Sequence, residues 1–172
     1  EFHEADSAAA IVLSPNGEIL ALANYPSTDP NNLKNYSADD YRNRVFSDKT
    51  EPGSTMKPFT MLLALDKGII TATDEELIDV KTRVGNILPD QKYFEMTIQE
   101  ILEKSHNLGT VMVAEQIENE DFYNTWKKLG FGEPLGVMPR TENIGVLRHY
   151  SNWSLADKRS LSFGHGPMNT NL

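Results

Sequence analysis

The nine residues Glu51-Pro52-Gly53-Ser54-Thr55-Met56-Lys57-Pro58-Phe59 constrain this chain more than any other segment. A Pro-Gly pair makes a turn and an apolar run follows it at once, so the chain is expected to enter a helix within these residues. Positions three apart on a helix share a face, which brings the Lys57 amine within reach of the Ser54 hydroxyl. A neutral lysine there can take the hydroxyl proton and turn the serine into a nucleophile. A helix start also offers unpaired backbone N–H groups and the positive end of the helix dipole, both suited to the oxyanion of acyl transfer. The plainer readings are an N-cap serine and a solvated helix lysine. The apolar residues after Lys57 favour partial burial instead, and burial lowers a lysine pKa.

Ser-x-x-Lys alone carries little weight, because 11 serines and 10 lysines in 172 residues produce about 0.6 matches by chance. A second element strengthens it. Ser105-His106-Asn107 supplies another hydroxyl and a carboxamide, the pair needed to relay a proton and hold a substrate amide. Its plain alternative is a boundary between two helices with Asn107 as the cap. Ser14-Pro15-Asn16 has the same Ser-x-Asn form, but Pro15-Asn16-Gly17 reads as a hairpin turn and that copy is set aside. His106 is expected to point away from the cleft. His3, His149 and His165 stand isolated without ligand spacing, so no metal site is expected.

Ser-x-x-Lys followed by Ser-x-Asn resembles the signature of penicillin-binding proteins and serine β-lactamases. The longer string Glu-Pro-Gly-Ser-Thr-x-Lys-Pro is similar to class B penicillin-binding proteins, the monofunctional peptidoglycan transpeptidases. Arg42-Asn43-Arg44 and Leu161-Ser162-Phe163-Gly164-His165-Gly166 resemble its division-specific, septal branch. The similarity runs from about Ala8 to the C-terminus. It implies an α/β (α+β) fold of the penicillin-binding/β-lactamase-like type: an antiparallel sheet flanked by helices, a largely helical lobe, and the active serine at their junction. It also implies catalytic roles for Ser54, Lys57 and Ser105 and substrate binding by Asn107, without metal or cofactor. The implied substrates are peptidoglycan stem peptides, with β-lactams as covalent inhibitors. A membrane-embedded division glycosyltransferase and divisome proteins would be met through segments absent from the chain, at the periplasmic face of the bacterial inner membrane. The rival readings are a serine β-lactamase and a non-catalytic β-lactam sensor. Nothing here follows the Ser-Asp-Asn pattern of class A β-lactamases, and Asn107 stands where class D-like sensors commonly carry valine.

One element of the signature is missing. No Lys-Thr-Gly or Lys-Ser-Gly occurs, and Lys81-Thr82-Arg83 and Lys104-Ser105-His106 come too early in the order. In the family that third element lies on a later strand, where it binds the substrate carboxylate and completes the oxyanion site. Residues 1–172 therefore read as the N-terminal portion of a transpeptidase domain, without membrane anchor, pedestal or C-terminal strands. Its sheet is expected to be incomplete or borrowed from another chain, and the chain alone to be poorly acylated.

Composition agrees with a globular domain: 39% apolar and 24% charged residues are ordinary for a packed chain. A formal charge of −9 with scattered lysines and arginines argues against nucleic-acid binding, which needs a basic face. With no cysteine there is neither a disulfide framework nor a thiolate metal site.

Along the chain, residues 8–13 and 18–24 are expected to form a hairpin that opens the family's central sheet, and residues 25–35 a surface loop. A buried helix is expected over 57–67, stopped by Gly68. Residues 69–93 read as loops with short strands, and Thr97-Ile98-Gln99-Glu100 as a capping box opening a short helix. Helices are expected over 107–117 and over 119–129, the latter capped by Asn119 and closed by Gly130, with loop or irregular strand over 131–149 and a last helix over 153–161. Asp74-Glu75-Glu76 and the acidic run 118–121 read as solvated helix starts. Residues 163–166 read as a tight turn near the cleft.

Overall fold

The computed structural model describes residues 5–73, 77–89, 92–138 and 140–171. His3 and the acidic run Asp74-Glu75-Glu76 lie outside the described residues. The chain divides into two compact units, residues 1–50 with 134–144 and 170–172, and residues 51–133 with 145–169.

The first unit is built on the expected hairpin. β1 (Ala8–Leu13) runs antiparallel to β2 (Ile19–Tyr25), with Ala8 opposite Tyr25 and Ala10 opposite Ala23, and the register slips between Val12 and Leu13. Ser14 closes the turn. Its N–H donates to Glu18 O at 2.9 Å, its carbonyl accepts from Gly17 N at 3.0 Å, and its hydroxyl accepts from Glu18 N at 3.0 Å. Gly17 has φ 82, where a side chain would be strained. Among the described residues no third strand joins this pair, and Val12, Leu13, Ile19 and Leu20 are exposed. The incomplete sheet expected here is thus, among the described residues, a two-stranded ribbon.

α1 (Arg44–Ser47) packs on the hairpin and buries Val45 and Phe46. The Arg42-Asn43-Arg44 segment serves this packing. Asn43 Oδ1 accepts from Asn24 Nδ2 at 3.2 Å. Arg42 reaches Asp39 and Asp48 at 2.9 Å each, and the buried Arg44 reaches Asp39 at 3.1 Å. Asn143 ties residues 134–144 to α1, donating through its N–H to Phe46 O at 2.8 Å and through Nδ2 to Ser47 O at 3.3 Å.

In the second unit, a 3-10 turn over Gly53–Met56 leads into α2 (Lys57–Asp66). Pro58 is tolerated in the first helical turn, whose N–H groups have no intrahelical acceptor. α2 buries Met61, Leu63 and Ala64 but exposes Phe59 and Leu62, so only one face of the expected buried helix is interior. β3 (Leu77–Asp79) pairs antiparallel with β4 (Glu95–Thr97), and α3 (Ile98–Glu103) follows directly. The Thr97/Glu100 capping box forms as expected: Thr97 Oγ1 accepts from Glu100 N at 3.1 Å, and Glu100 Oε2 accepts from Thr97 N at 2.9 Å.

α4 (Asn107–Ala114) is shorter than expected, since turn-type bonds from Gln116 and Ile117 replace the helical ladder. α5 (Asn119–Lys128) carries Glu118, not Asn119, at the N-cap position, with Glu120 and Asp121 in its first turn and Lys127 and Lys128 in its last. That charge order suits the helix dipole. β5 (Val146–Leu147) pairs with β6 (Met168–Asn169). α6 (Leu155–Leu161) begins after Trp153 because Ser154 and Asp157 form a second capping box.

The core joins α2 to Ile101, Leu108, Val111, Val113, Phe122, Trp126 and Leu161, all nearly or fully buried. Burying apolar side chains of this size contributes roughly 1.5–3 kcal/mol each before conformational entropy is counted. These helices therefore form the firm platform under the candidate site.

Three helices of this unit end alike. Gly68, Ser105 and Gly130 have φ 66, 51 and 94, and each follows the C-cap residue of α2, α3 or α5. Their N–H groups donate to Leu65, Leu102 and Lys127, and the next N–H groups, of Ile69, His106 and Phe131, donate to Ala64, Ile101 and Trp126. This is the Schellman pattern, in which a left-handed residue lets the chain turn back on the last carbonyls. Two of the three use glycine. The third uses serine.

Candidate active site

The Lys57 side chain is buried to 1% exposure at the head of α2, beneath the turn that carries Ser54. Its Nζ donates to Ser105 O at 2.5 Å and to Ser105 Oγ at 2.9 Å. Burial pushes the Lys57 ammonium down from its ordinary 10.5 to about 8. At pH 7 that leaves roughly a tenth of the amines neutral, several hundred times the fraction of an unperturbed lysine. Such an amine can exchange protons with its neighbours near neutrality.

Ser54 lies in the 3-10 turn, exposed, and its carbonyl accepts the Lys57 backbone N–H. Among the described residues, the hydrogen bonds of Lys57 Nζ go to Ser105 and none goes to Ser54 Oγ. The expected Ser54–Lys57 pair thus shares one helical entry, while the lysine amine is anchored on the Ser-x-Asn element. Ser105 and Asn107 are exposed on either side of the half-buried His106. Asn107 is the first residue of α4, and its carboxamide makes no hydrogen bond to another described residue.

Two contacts hold the Ser54 turn in place. Gly53 N donates to Gly164 O at 3.0 Å, and Gly164, at φ 79, comes so close that a Cβ there would lie 2.1 Å from Gly53 O. Glu51 Oε1 accepts from Gly166 N at 2.9 Å, and Glu51 Oε2 lies 3.9 Å from His165 Nε2. The expected tight turn over residues 163–166 is therefore the buttress of the turn bearing Ser54. Thr60 Oγ1 donates to the buried Ser162 O at 2.8 Å, fastening α2 to the end of α6.

The sequence reading missed two participants. Glu51 carries no structural role in the sequence reading, yet its carboxylate joins the two turns. His106 carries no expected role, and the plain alternative makes Asn107 the cap; the structure puts His106 at the N-cap of α4, its Nδ1 accepting from Gly109 N at 3.0 Å. Histidine is not among the favoured N-cap residues, so composition carried no signal for it. Among the described residues no group of three acidic, histidine or cysteine side chains could hold a metal ion.

This geometry agrees with comparisons to known proteins. Residues 8–172 match the family model described as penicillin binding protein transpeptidase domain. The peptidoglycan D,D-transpeptidase FtsI of Escherichia coli K12 is 33% identical over 174 residues, covering 99% of this chain and 29% of that protein. The probable peptidoglycan D,D-transpeptidase PenA of Neisseria flavescens is 34% identical over 167 residues, covering 96% of this chain and 42% of that protein. The chain spans less than half the length of either relative. Among solved structures, the apo transpeptidase domain of Burkholderia pseudomallei penicillin-binding protein 3 superposes with a TM-score of 0.75 at 30% identity, covering 96% of this chain and 46% of that one. A buried, pKa-lowered lysine bonded to the serine of a Ser-x-Asn element, on a chain matched almost end to end, places this protein in the penicillin-binding protein transpeptidase domain family.

Proposed function

We propose that this chain forms the nucleophile-bearing part of a peptidoglycan D,D-transpeptidase that crosslinks stem peptides during septal cell-wall synthesis. In the first step Ser54 Oγ attacks the carbonyl carbon of a D-Ala-D-Ala bond, and its proton passes to the neutral Lys57 amine. The C–N bond then breaks, Ser105 relays a proton to the departing amine, and D-alanine leaves behind an acyl-serine. An amine from a second stem resolves the ester in the second step, forming the crosslink and freeing Ser54. Asn107 holds the substrate backbone. A β-lactam enters the same route and stays as a stable acyl adduct.

The contact of Lys57 Nζ with Ser105 Oγ at 2.9 Å carries this reading, because it joins the two motifs into one proton path. By the same resemblance the enzyme works at the periplasmic face of the inner membrane beside a division glycosyltransferase, through segments other than residues 1–172. No helix among the described residues is long and apolar enough to cross a membrane. The test is acylation by a fluorescent penicillin followed by peptide mapping, in a polypeptide extended to its relatives' length. The adduct is expected on Ser54, absent from Ser54→Ala and strongly reduced in Lys57→Met. Labelling at another residue would overturn the assignment. Residues 1–172 alone are expected to label poorly, since they contain no Lys-Thr-Gly or Lys-Ser-Gly.

A further inference from the structure

We propose that His106 is a positioning residue of this site: by capping α4 with its ring it holds the strained Ser105 turn in the conformation that presents both Ser105 oxygens to the Lys57 amine. The proposal rests on the functional reading above and adds a residue to it. Ser105 is the only described non-glycine residue in the left-handed region, at φ 51. Glycine occupies the equivalent place at the ends of α2 and α5, with no side chain to strain. At position 105 the side chain is retained because Lys57 Nζ binds its hydroxyl, so the turn must be held from outside.

His106 holds it from both sides. Toward α3, its N–H donates to Ile101 O at 2.8 Å, completing the turn that Ser105 begins. Toward α4, its carbonyl accepts from Thr110 N at 3.2 Å and from the hydroxyl of the buried Thr110 at 3.0 Å, while Nδ1 accepts from Gly109 N at 3.0 Å. Position 109 has no room for a larger residue. A Cβ there would lie 2.6 Å from Ile101 Cγ1 and 3.3 Å from His106 Nδ1, so the first turn of α4 is pressed against both α3 and the imidazole. The Tyr93 ring meets the imidazole edge-on, centroids 6.0 Å apart at 82°, and limits its rotation. An accepting Nδ1 requires the ring proton on Nε2. Loss of the ring would leave the N–H of the buried Gly109 without this acceptor and weaken the α4 side of the clamp to the two bonds from Thr110.

The test compares His106→Ala with His106→Asn in the 172-residue chain by NMR, because asparagine is a strong N-cap and alanine is not. In His106→Ala the Gly109 amide is expected to exchange roughly fivefold faster or more, and the titration midpoint of Lys57 Nζ to move upward as the site admits water. In His106→Asn both are expected to return toward the original values. Protection of the Phe122 and Trp126 amides serves as the control for global stability. An unchanged Lys57 midpoint in His106→Ala, or no rescue by His106→Asn, would overturn the proposal. If the alanine variant does not fold, the 15N imidazole spectrum of the unmodified chain decides. A hydrogen-bonded, unprotonated Nδ1 on His106 supports the clamp, and a proton on Nδ1 at neutral pH overturns it. None of these readouts requires acylation, so a missing penicillin adduct on Ser54 would count against the functional reading and leave the clamp to be judged on its own.

Discussion

Replacing Lys57 by methionine tests the electrostatics of the site without requiring turnover. Burial lowers the folded pKa of Lys57 from 10.5 to about 8, a difference worth about 3 kcal/mol. The folded pKa lies below the unfolded one, so between the two values the unfolded chain binds more protons and stability rises with pH. Below pH 8 both states are protonated and the full penalty for burying the ammonium is present. Above pH 10.5 neither is, and the penalty has gone. Methionine keeps an apolar chain of similar length and carries no charge. Its loss of the two hydrogen bonds to Ser105 costs about 1 kcal/mol, because Ser105 is exposed and water replaces the amine. At pH 7 the variant should therefore be more stable by about 2 kcal/mol, and a change of about 2.5 kcal/mol between pH 7 and pH 10 should abolish this advantage and slightly reverse it. Lys158 is also buried and lowered in pKa, its Nζ donating to Glu115 O at 3.0 Å, but it titrates in both proteins and cancels in the difference. Urea unfolding followed by far-ultraviolet circular dichroism at four pH values supplies the measurement. A stability gap that stays constant from pH 7 to 10 would show that Lys57 titrates like an ordinary lysine and would refute the reasoning.

Two further outcomes follow from packing. Gly164→Ala should destabilise the fold by at least about 3 kcal/mol, since the new Cβ would meet Gly53 O at 2.1 Å and Gly53 N at 2.6 Å with φ at 79; urea unfolding with an unchanged midpoint would refute that contact. The β1–β2 amides should exchange well ahead of those in α4, because a two-stranded ribbon is marginal in water whereas α4 lies in the core; equal protection in a hydrogen-exchange experiment would contradict the ribbon as described.

Much of the helical framework was legible because its signals are local. Thr97 and Glu100 are three apart and satisfy each other's backbone groups, so their sequence spacing is already their geometry. Gly68 and Gly130 announce the ends of α2 and α5 in the same way. That Ser54 and Lys57 share one helical entry was legible for a related reason, since they stand three residues apart. What could not be read is contact between distant segments. The meeting of Gly53 with Gly164, and of Glu51 with Gly166, spans more than a hundred residues and leaves no periodic trace. The missing third element already points to an incomplete sheet, but how many strands remain was not legible, because alternation in β1 and β2 reports a strand without saying how many neighbours it has.

The site itself follows a sharper rule. At the ends of α2 and α5 the residue that local geometry prefers is the residue present, and nothing further is needed there. At the end of α3 the preferred glycine is replaced by Ser105, which sits in the same left-handed conformation at a conformational cost of about 1–2 kcal/mol. No glycine announces this end, and the capping box at Thr97 marks only where α3 begins. The exception and the chemistry coincide: the side chain that glycine would lack is the one that meets the buried Lys57 amine at 2.9 Å. Local rules that agree with one another describe the scaffold, and the position where one of them is broken marks the residue retained for another purpose.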